Sequence, residues 1–221
     1  ILGSAQIKLT YRNEVVTISG DFKRSPDPTC EPFEVQKSDI FITEATFALP
    51  VFNHPPIEAE LQRLIQSLEE FPDRCHLVGA YALGKCQRVM STLRSMGYED
   101  TIYLHGALVK LVKLYEQLGV DLGDWRRVSE LDDFTCLKGK IVLAPPSALA
   151  DRWSQKLPNV IACMASGWMQ IRARARQRRA ELPLVISDHA DWTQLLETIE
   201  QVNPSQVWVT HGREEGLVHQ A

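Results

Sequence analysis

From Ile57 to Ala165 the chain alternates stretches with helical spacing and short apolar runs, and few architectures accept that pattern. Ile57, Leu61, Leu64, Ile65 and Leu68 fall on one face of a helix. Apolar, strand-like runs follow at 76–81, 101–105, 140–144 and 160–165. Helical stretches lie between them at 85–96, 108–118 and near 147–156. Neighbouring parallel strands need a crossover long enough to hold a helix, so this alternation predicts an α/β fold with a mainly parallel sheet covered by helices. At 221 residues the chain can bury a sizeable core, as one large domain or two modest ones.

The flanks read differently. Residues 4–10 and 14–19 form a hairpin pattern of two β-rich runs with turn chemistry at Arg12-Asn13. The stretch 25–28 is a Pro-rich loop, and 40–43 is another apolar strand. Pro50, Pro55 and Pro56 then break the chain ahead of the first amphipathic helix. Near the other end an apolar strand at 184–187 stops at Asp188-His189. Asp191 and Gln194 form a capping-box pair for a helix carrying Leu195, Leu196, Ile199 and Val202, which Pro204 ends. A last strand at 207–210 stops at His211-Gly212. Ile1-Leu2-Gly3-Ser4 runs straight into a strand with no initiator Met, so the chain is expected to begin in mid-domain. Ala221 is expected to end it after a Gly-containing turn, with no closing element.

Composition narrows the class. The apolar fraction of 44% and charged fraction of 24% are ordinary for a globular protein, and no run approaches the ~18 apolar residues of a membrane span. A net charge of −4 argues against a protein held to nucleic acid by global charge, while leaving room for local basic patches. The five cysteines (Cys30, Cys75, Cys86, Cys136, Cys163) form no C-x-x-C pair. They read as reduced, mostly buried thiols, which favours a cytoplasmic setting.

Four groups that could bind metal or move protons stand where apolar runs stop: Asp21, Glu44, His189 and His211. Sites in layered α/β proteins collect beyond strand ends, so this placement singles them out. Asp and His suit zinc or manganese, and a Glu-His pair can position a proton. Taken singly, each also reads as a turn residue or a structural histidine.

The motifs carry a resemblance. Ser19-Gly20-Asp21-Phe22-Lys23, Thr43-Glu44-Ala45-Thr46-Phe47, Ala82-Leu83-Gly84-Lys85-Cys86-Gln87, Ser187-Asp188-His189-Ala190-Asp191 and Thr210-His211-Gly212, in that order, resemble the β-CASP branch of metallo-β-lactamase nucleases. Asp21-Phe22-Lys23-Arg24, Pro26-Asp27-Pro28-Thr29-Cys30 and Ser166-Gly167-Trp168 most resemble the bacterial DNA ligase-associated exonucleases. The resemblance implies part of a metallo-β-lactamase αββα sandwich at 1–48 and 182–221, interrupted by a β-CASP cap domain at 49–181. It implies that Asp21 bridges two divalent metal ions, zinc ahead of manganese, and that His211 is an imidazole ligand. His189 would be the catalytic proton donor, oriented by Glu44. The family's His-x-His-x-Asp-His ligand set would lie upstream of Ile1, so these residues alone are expected to bind the metal pair poorly. The activity implied is phosphodiester hydrolysis, as a DNA exonuclease in repair alongside a DNA ligase and a helicase. RNA processing and a non-catalytic nucleic-acid-binding relative are the competing readings.

Other motifs compete for attention. Gly79 to Cys86 nearly matches a nucleotide-binding P-loop, but Cys86 lacks the hydroxyl that holds Mg²⁺ and no downstream strand ends in the needed acid. Gly84-Lys85 at a helix start can still hold a backbone phosphate, which makes Lys85 a candidate substrate contact. Arg172, Arg174, Arg176, Arg178 and Arg179 form the densest basic run, either a solvated face or a backbone-binding surface. Arg174, with Ser166 and Gly167, joins Lys85 as a candidate substrate-binding residue. His54, His76 and His105 read as structural. The five tryptophans lie singly and read as core residues, with Trp168 the exception that could stack on a base.

Overall fold

The computed structural model describes residues 1–212 and 214–220, at 218 and 220 the backbone only. Along the chain come β1 (Ile7–Tyr11), β2 (Glu14–Ile18), β3 (Ile40–Ala45) and α1 (Ile57–Glu70). They are followed by β4 (His76–Gly79), α2 (Lys85–Ser95), β5 (Ile102–Leu104), α3 (Gly106–Gln117), β6 (Trp125–Arg127), β7 (Ile141–Ala144), β8 (Ile161–Ala165), α4 (Arg172–Gln177) and β9 (Leu182–Leu184). α5 (Trp192–Val202), β10 (Gln206–Gly212) and α6 (Glu214–Gln220) close the described chain. The fold is α/β, in two compact units: Ile1–His54 with Asp188–Ala221, and Pro55–Ser187. The divisions fall about six residues later than the 48/49 and 181/182 expected from the motifs. Among the described residues no helix is long and apolar enough to cross a membrane.

The first unit holds a four-stranded mixed sheet in the order β1-β2-β3-β10. β1 and β2 form the antiparallel hairpin, turning through Arg12 at φ +52°. β3 runs parallel to both β2 and β10. One face carries Thr17, Phe41 and Thr43, all buried, with α5 packed on β3. The register places Ile7, Ile18, Ile42 and Trp208 in one row on the other face, with Leu9, Val16 and Ile40 in the next. Ile7, Leu9, Tyr11 and Trp208 are each more than half exposed.

α5 begins at Asp191, whose carboxylate accepts the Gln194 N–H at 2.9 Å. The reciprocal half of the expected capping box is not made, because the Gln194 carboxamide accepts the Arg24 N–H instead. Asn203, in the left-handed conformation, ends the helix ahead of Pro204. The expectation of no closing element is corrected by α6: Gly216 sits inside a helix, while Ala221 itself lies outside the described residues.

The second unit holds a six-stranded sheet in the order β6-β5-β7-β4-β8-β9, every pair parallel. All residues of β4, β5 and β7 are buried, as central parallel strands require. Leu77, Tyr103, Val142 and Ala144 point to a cluster completed by Val128, Leu137 and Leu157 from the irregular stretches on either side of β7. The alternate residues take the opposite face, where His76 Nε2 lies 2.8 Å from Ser67 Oγ of α1.

Two sequence expectations need correction, and one strand was not expected. The helix near 147–156 is two short 3₁₀ turns, Pro146–Ala150 and Ser154–Lys156. The Ser154 hydroxyl donates to the Asp151 carbonyl at 2.7 Å, with the Leu149 carbonyl 3.2 Å away, competing with an α-helical ladder that the prolines at 145 and 146 already weaken. β6, two arginines and a tryptophan at the sheet edge, was too short and too polar to stand out. The run 184–187 is not a strand beyond Leu184. Val185 gives its N–H to Glu60 at 2.7 Å and Ile186 gives its own back to the Leu184 carbonyl, so the ladder with β8 stops there.

Candidate functional site

Strand polarity assembles the site in the first unit. Because β2, β3 and β10 run parallel, their C-terminal ends share one edge of the sheet. Asp21 follows β2 after a turn at Gly20, Glu44 is the penultimate residue of β3, and His211 is the penultimate residue of β10. Glu44 and His211 thus lie inside their strands, which run two residues past the ends expected at Thr43 and Thr210. Ligand atoms of Asp21, Glu44 and His211 all fall within 4.8 Å of one another. His189 comes from the bend before α5, not from a strand end, and its Nδ1 lies 2.8 Å from Glu44 Oε2 and 4.0 Å from Asp21 Oδ2. All four residues singled out in the sequence meet here.

Glu44 is the tie that holds them. Its side chain is fully buried, and both oxygens are engaged: Oε1 accepts the Phe22 N–H at 3.1 Å and Oε2 meets His189. A buried carboxylate is tolerable only when so satisfied. The Phe22 carbonyl in turn accepts the Ala190 N–H at 2.5 Å, so the segments carrying Asp21 and His189 are stitched together at their backbones. The Phe47 ring stands edge-on to His189. Asp21 and His211, by contrast, are about half exposed. Glu44 belongs to the same cluster of oxygens and nitrogens, but its oxygens are already hydrogen-bonded, which leaves Asp21 and His211 as the more open donors of the three.

Both ring nitrogens of His211 have a neighbour. Nδ1 lies 2.9 Å from the Thr210 hydroxyl, which also stands 3.3 Å from the Thr43 carbonyl and has one hydrogen to give to either. Nε2 faces Asp21 Oδ1 at 3.0 Å, where a ring N–H can donate to the carboxylate and a metal ion could take the place of that hydrogen.

Residues outside the expected set hold this edge in place. Arg24 donates to Thr198 at 3.0 Å and to Gln201 at 2.9 Å, while its N–H goes to Gln194 at 3.0 Å. Gln194, Thr198 and Gln201 form a polar stripe on α5, the sequence signal that could have drawn attention to Arg24. Lys23 pairs with Asp27 at 2.5 Å with both side chains buried. Burial pushes the Asp27 carboxyl up, but Lys23 and Thr29 outweigh it and hold the group below its ordinary 3.8. A cavity of about 380 Å³ opens beside Asp21, lined also by Gly3, Ser4, Ser19, Lys23 and Asp27.

The candidate substrate-binding residues all belong to the second unit. Lys85 is buried, with its ammonium 5.1 Å from the centre of the Tyr81 ring. The helix start that carries it is not an anion cradle: the N–H of Lys85 goes to Leu83 and that of Cys86 to Tyr81. The expectation that these amides hold a phosphate is corrected accordingly. Ser166 and Gly167 are buried, and Ser166 Oγ accepts the Trp168 N–H at 3.3 Å. Arg174 is exposed and lies over the Trp168 ring at 5.4 Å. His105 caps α3 by accepting the Ala107 N–H and packs edge-on against Trp153. His54 packs against Phe47. Cys75, Cys86 and Cys163 are buried free thiols, while Cys30 is half-buried and Cys136 exposed.

No family model matches the chain. Over 215 residues, 96% of its length, it is 28% identical to a curated protein of Opitutus terrae called a probable DNA ligase. The chain spans only 21% of that relative. Among solved structures it is similar to a protein of unknown function from Enterococcus faecalis V583, with a TM-score of 0.51 over 96% of this chain and 56% of the other. At 13% identity that likeness is one of fold alone.

Proposed function

We propose that this chain is part of a metal-dependent nuclease of the β-CASP branch of metallo-β-lactamase proteins, acting on DNA as an exonuclease in repair. The observation that carries the reading is the convergence of Asp21, His211 and the Glu44–His189 pair at one sheet edge. The uncovered apolar face of the first sheet, with Ile7, Leu9, Tyr11 and Trp208, suits one half of a sandwich whose other sheet would lie against it. The match to a fifth of a protein named as a probable DNA ligase supports DNA as substrate and ligation as the neighbouring activity.

Asp21 and His211 fit a divalent cation by donor type, since a carboxylate and an imidazole suit zinc or manganese. Two such donors are fewer than the three protein ligands of a catalytic zinc, so the reading requires further ligands from outside these residues. Bound there, divalent ions would activate water and stabilise the charge added at phosphorus. The chain's own contribution is proton control. Glu44 holds His189 through Nδ1, so the proton delivered to the departing oxygen is the one on Nε2. Phe22 and Ala190 keep donor and carboxylate in register.

The test is carried out in the intact protein with a complete ligand set, on labelled DNA and RNA with Zn²⁺ or Mn²⁺. His189→Ala is expected to keep its bound metal and lose turnover by about 10²- to 10⁴-fold. Asp21→Ala should lose both. Normal turnover in His189→Ala removes the proton-donor role, and no hydrolysis of either nucleic acid by the parent protein refutes the nuclease reading.

A further inference from the structure

We propose that the second unit binds the unpaired bases of a single-stranded nucleic acid where β4 and β8 end, stacking them on the Tyr81 ring and the Arg174 guanidinium. This rests on the reading of nucleic acid as substrate and names the form taken. β4 and β8 are hydrogen-bonded neighbours, with Gly79 opposite Met164, so the loops after them leave the sheet side by side. The first loop presents Tyr81, 58% exposed, with Leu83 at 45% beside it in sequence.

That ring is presented on a fixed support. The buried Lys85 ammonium lies against it. The Tyr81 carbonyl accepts the Cys86 N–H at 3.1 Å, and Gln87 donates to the Ala82 carbonyl at 2.9 Å. A ring held this way loses little freedom when a base stacks on it.

The second loop presents a flat cation. Trp168 is half-buried against the cluster of Met164, Met169 and Ala175, and the Arg174 guanidinium lies over its ring. An arginine backed by an aromatic ring offers its other face for stacking while its N–H groups can meet phosphate. Arg172, Arg176, Arg178 and Arg179 are exposed alongside it, with no acid between 172 and 180. The next acid, Glu181, is paired with Arg74. Positive charge interleaved with planar groups matches a phosphodiester chain carrying free bases. A duplex hides its base faces and could use the charge alone.

The experiment is fluorescence anisotropy with labelled oligo-dT, oligo-rU and a DNA duplex of equal length, in EDTA so that nothing is cleaved. Single strands should bind more tightly than the duplex, and the dT and rU arms distinguish DNA from RNA. Tyr81→Leu, at an exposed position, should weaken single-strand binding about 5- to 100-fold without changing its salt dependence, and Tyr81→Phe should restore it. Arg174→Lys should weaken it too, although the charge is kept. Parent-like affinity in both Tyr81→Leu and Arg174→Lys overturns the proposal, as does a preference for duplex or failure to bind any of the three. Because no metal is present, an inactive protein that still stacks bases leaves this proposal standing. An active nuclease whose Tyr81→Leu and Arg174→Lys variants both bind normally sinks this proposal and leaves the nuclease reading standing.

Discussion

Replacing Gly212 with alanine puts a methyl carbon 2.1 Å from the Ala45 carbonyl carbon, 2.2 Å from its oxygen and 2.6 Å from the Thr46 nitrogen. All three are backbone atoms of β3 or its immediate continuation, so no side chain can turn aside. Ordinary contact lies near 3.4 Å, which means β10 must move away from β3 by about 1.3 Å. The residue also sits at φ +110°, where only glycine is unstrained, after a register shift between Val209 and Gly212. Backbone strain of about 1–3 kcal/mol and overpacking of about 1–3 kcal/mol together give about 2–6 kcal/mol. His211 is the adjacent residue, so the same shift opens the 3.0 Å approach of its Nε2 to Asp21. Hydrogen exchange resolved by peptide is the suitable assay, since it reads each unit separately. Amides of β3 and β10 should exchange at least about 30-fold faster, while those of β4 and β7 serve as the unperturbed control. Parent-like exchange in β3 and β10 would refute the packing argument.

Thiol labelling should follow burial. Cys136 is expected to react first, whereas burial pushes Cys75 and Cys86 up to about 12 and Cys163 higher still, so these three should stay unlabelled until the second unit unfolds. Rapid reaction of all five in the folded chain would contradict it. Stability of the second unit should fall on acidification. Burial holds the His76 imidazole below its ordinary 6.5, so it stays neutral in the fold while the unfolded chain takes up a proton. The stability is therefore whole above pH 6.5 and is lost as pH falls below it, at up to about 1.4 kcal/mol per pH unit, levelling off below the folded value. His105, depressed chiefly by burial, adds in the same direction. His76→Gln should flatten the urea midpoint between pH 7.5 and 5.5, and an unchanged slope would exclude His76 as the cause.

Local chemistry was legible from the residues alone. The spacing of Ile57, Leu61, Leu64 and Leu68 places α1, and the alternation after it implies the parallel sheet of the second unit. Apolar runs stopping at Asp21, Glu44 and His211 mark three members of the site, because side-chain type and strand periodicity are properties of a few consecutive residues. The run 184–187 misled because its fate depends on Glu60, 125 residues away, which takes the Val185 amide out of the ladder. His189 was found by motif for the wrong local reason, since it reaches Glu44 from a bend and not from a strand end. Gln194 likewise looked like half of a capping box until Arg24 claimed its oxygen.

The residues by themselves determined which groups could act: two carboxylates and two imidazoles, each beside an apolar run. Only the tertiary structure decided that they stand together. The parallel register of β2, β3 and β10 brings three strand ends to one edge, and the Glu44–His189 contact closes over 145 residues of chain. Periodicity is local, but hydrogen-bond partnership and strand polarity are settled only when distant segments compete for the same donors and acceptors.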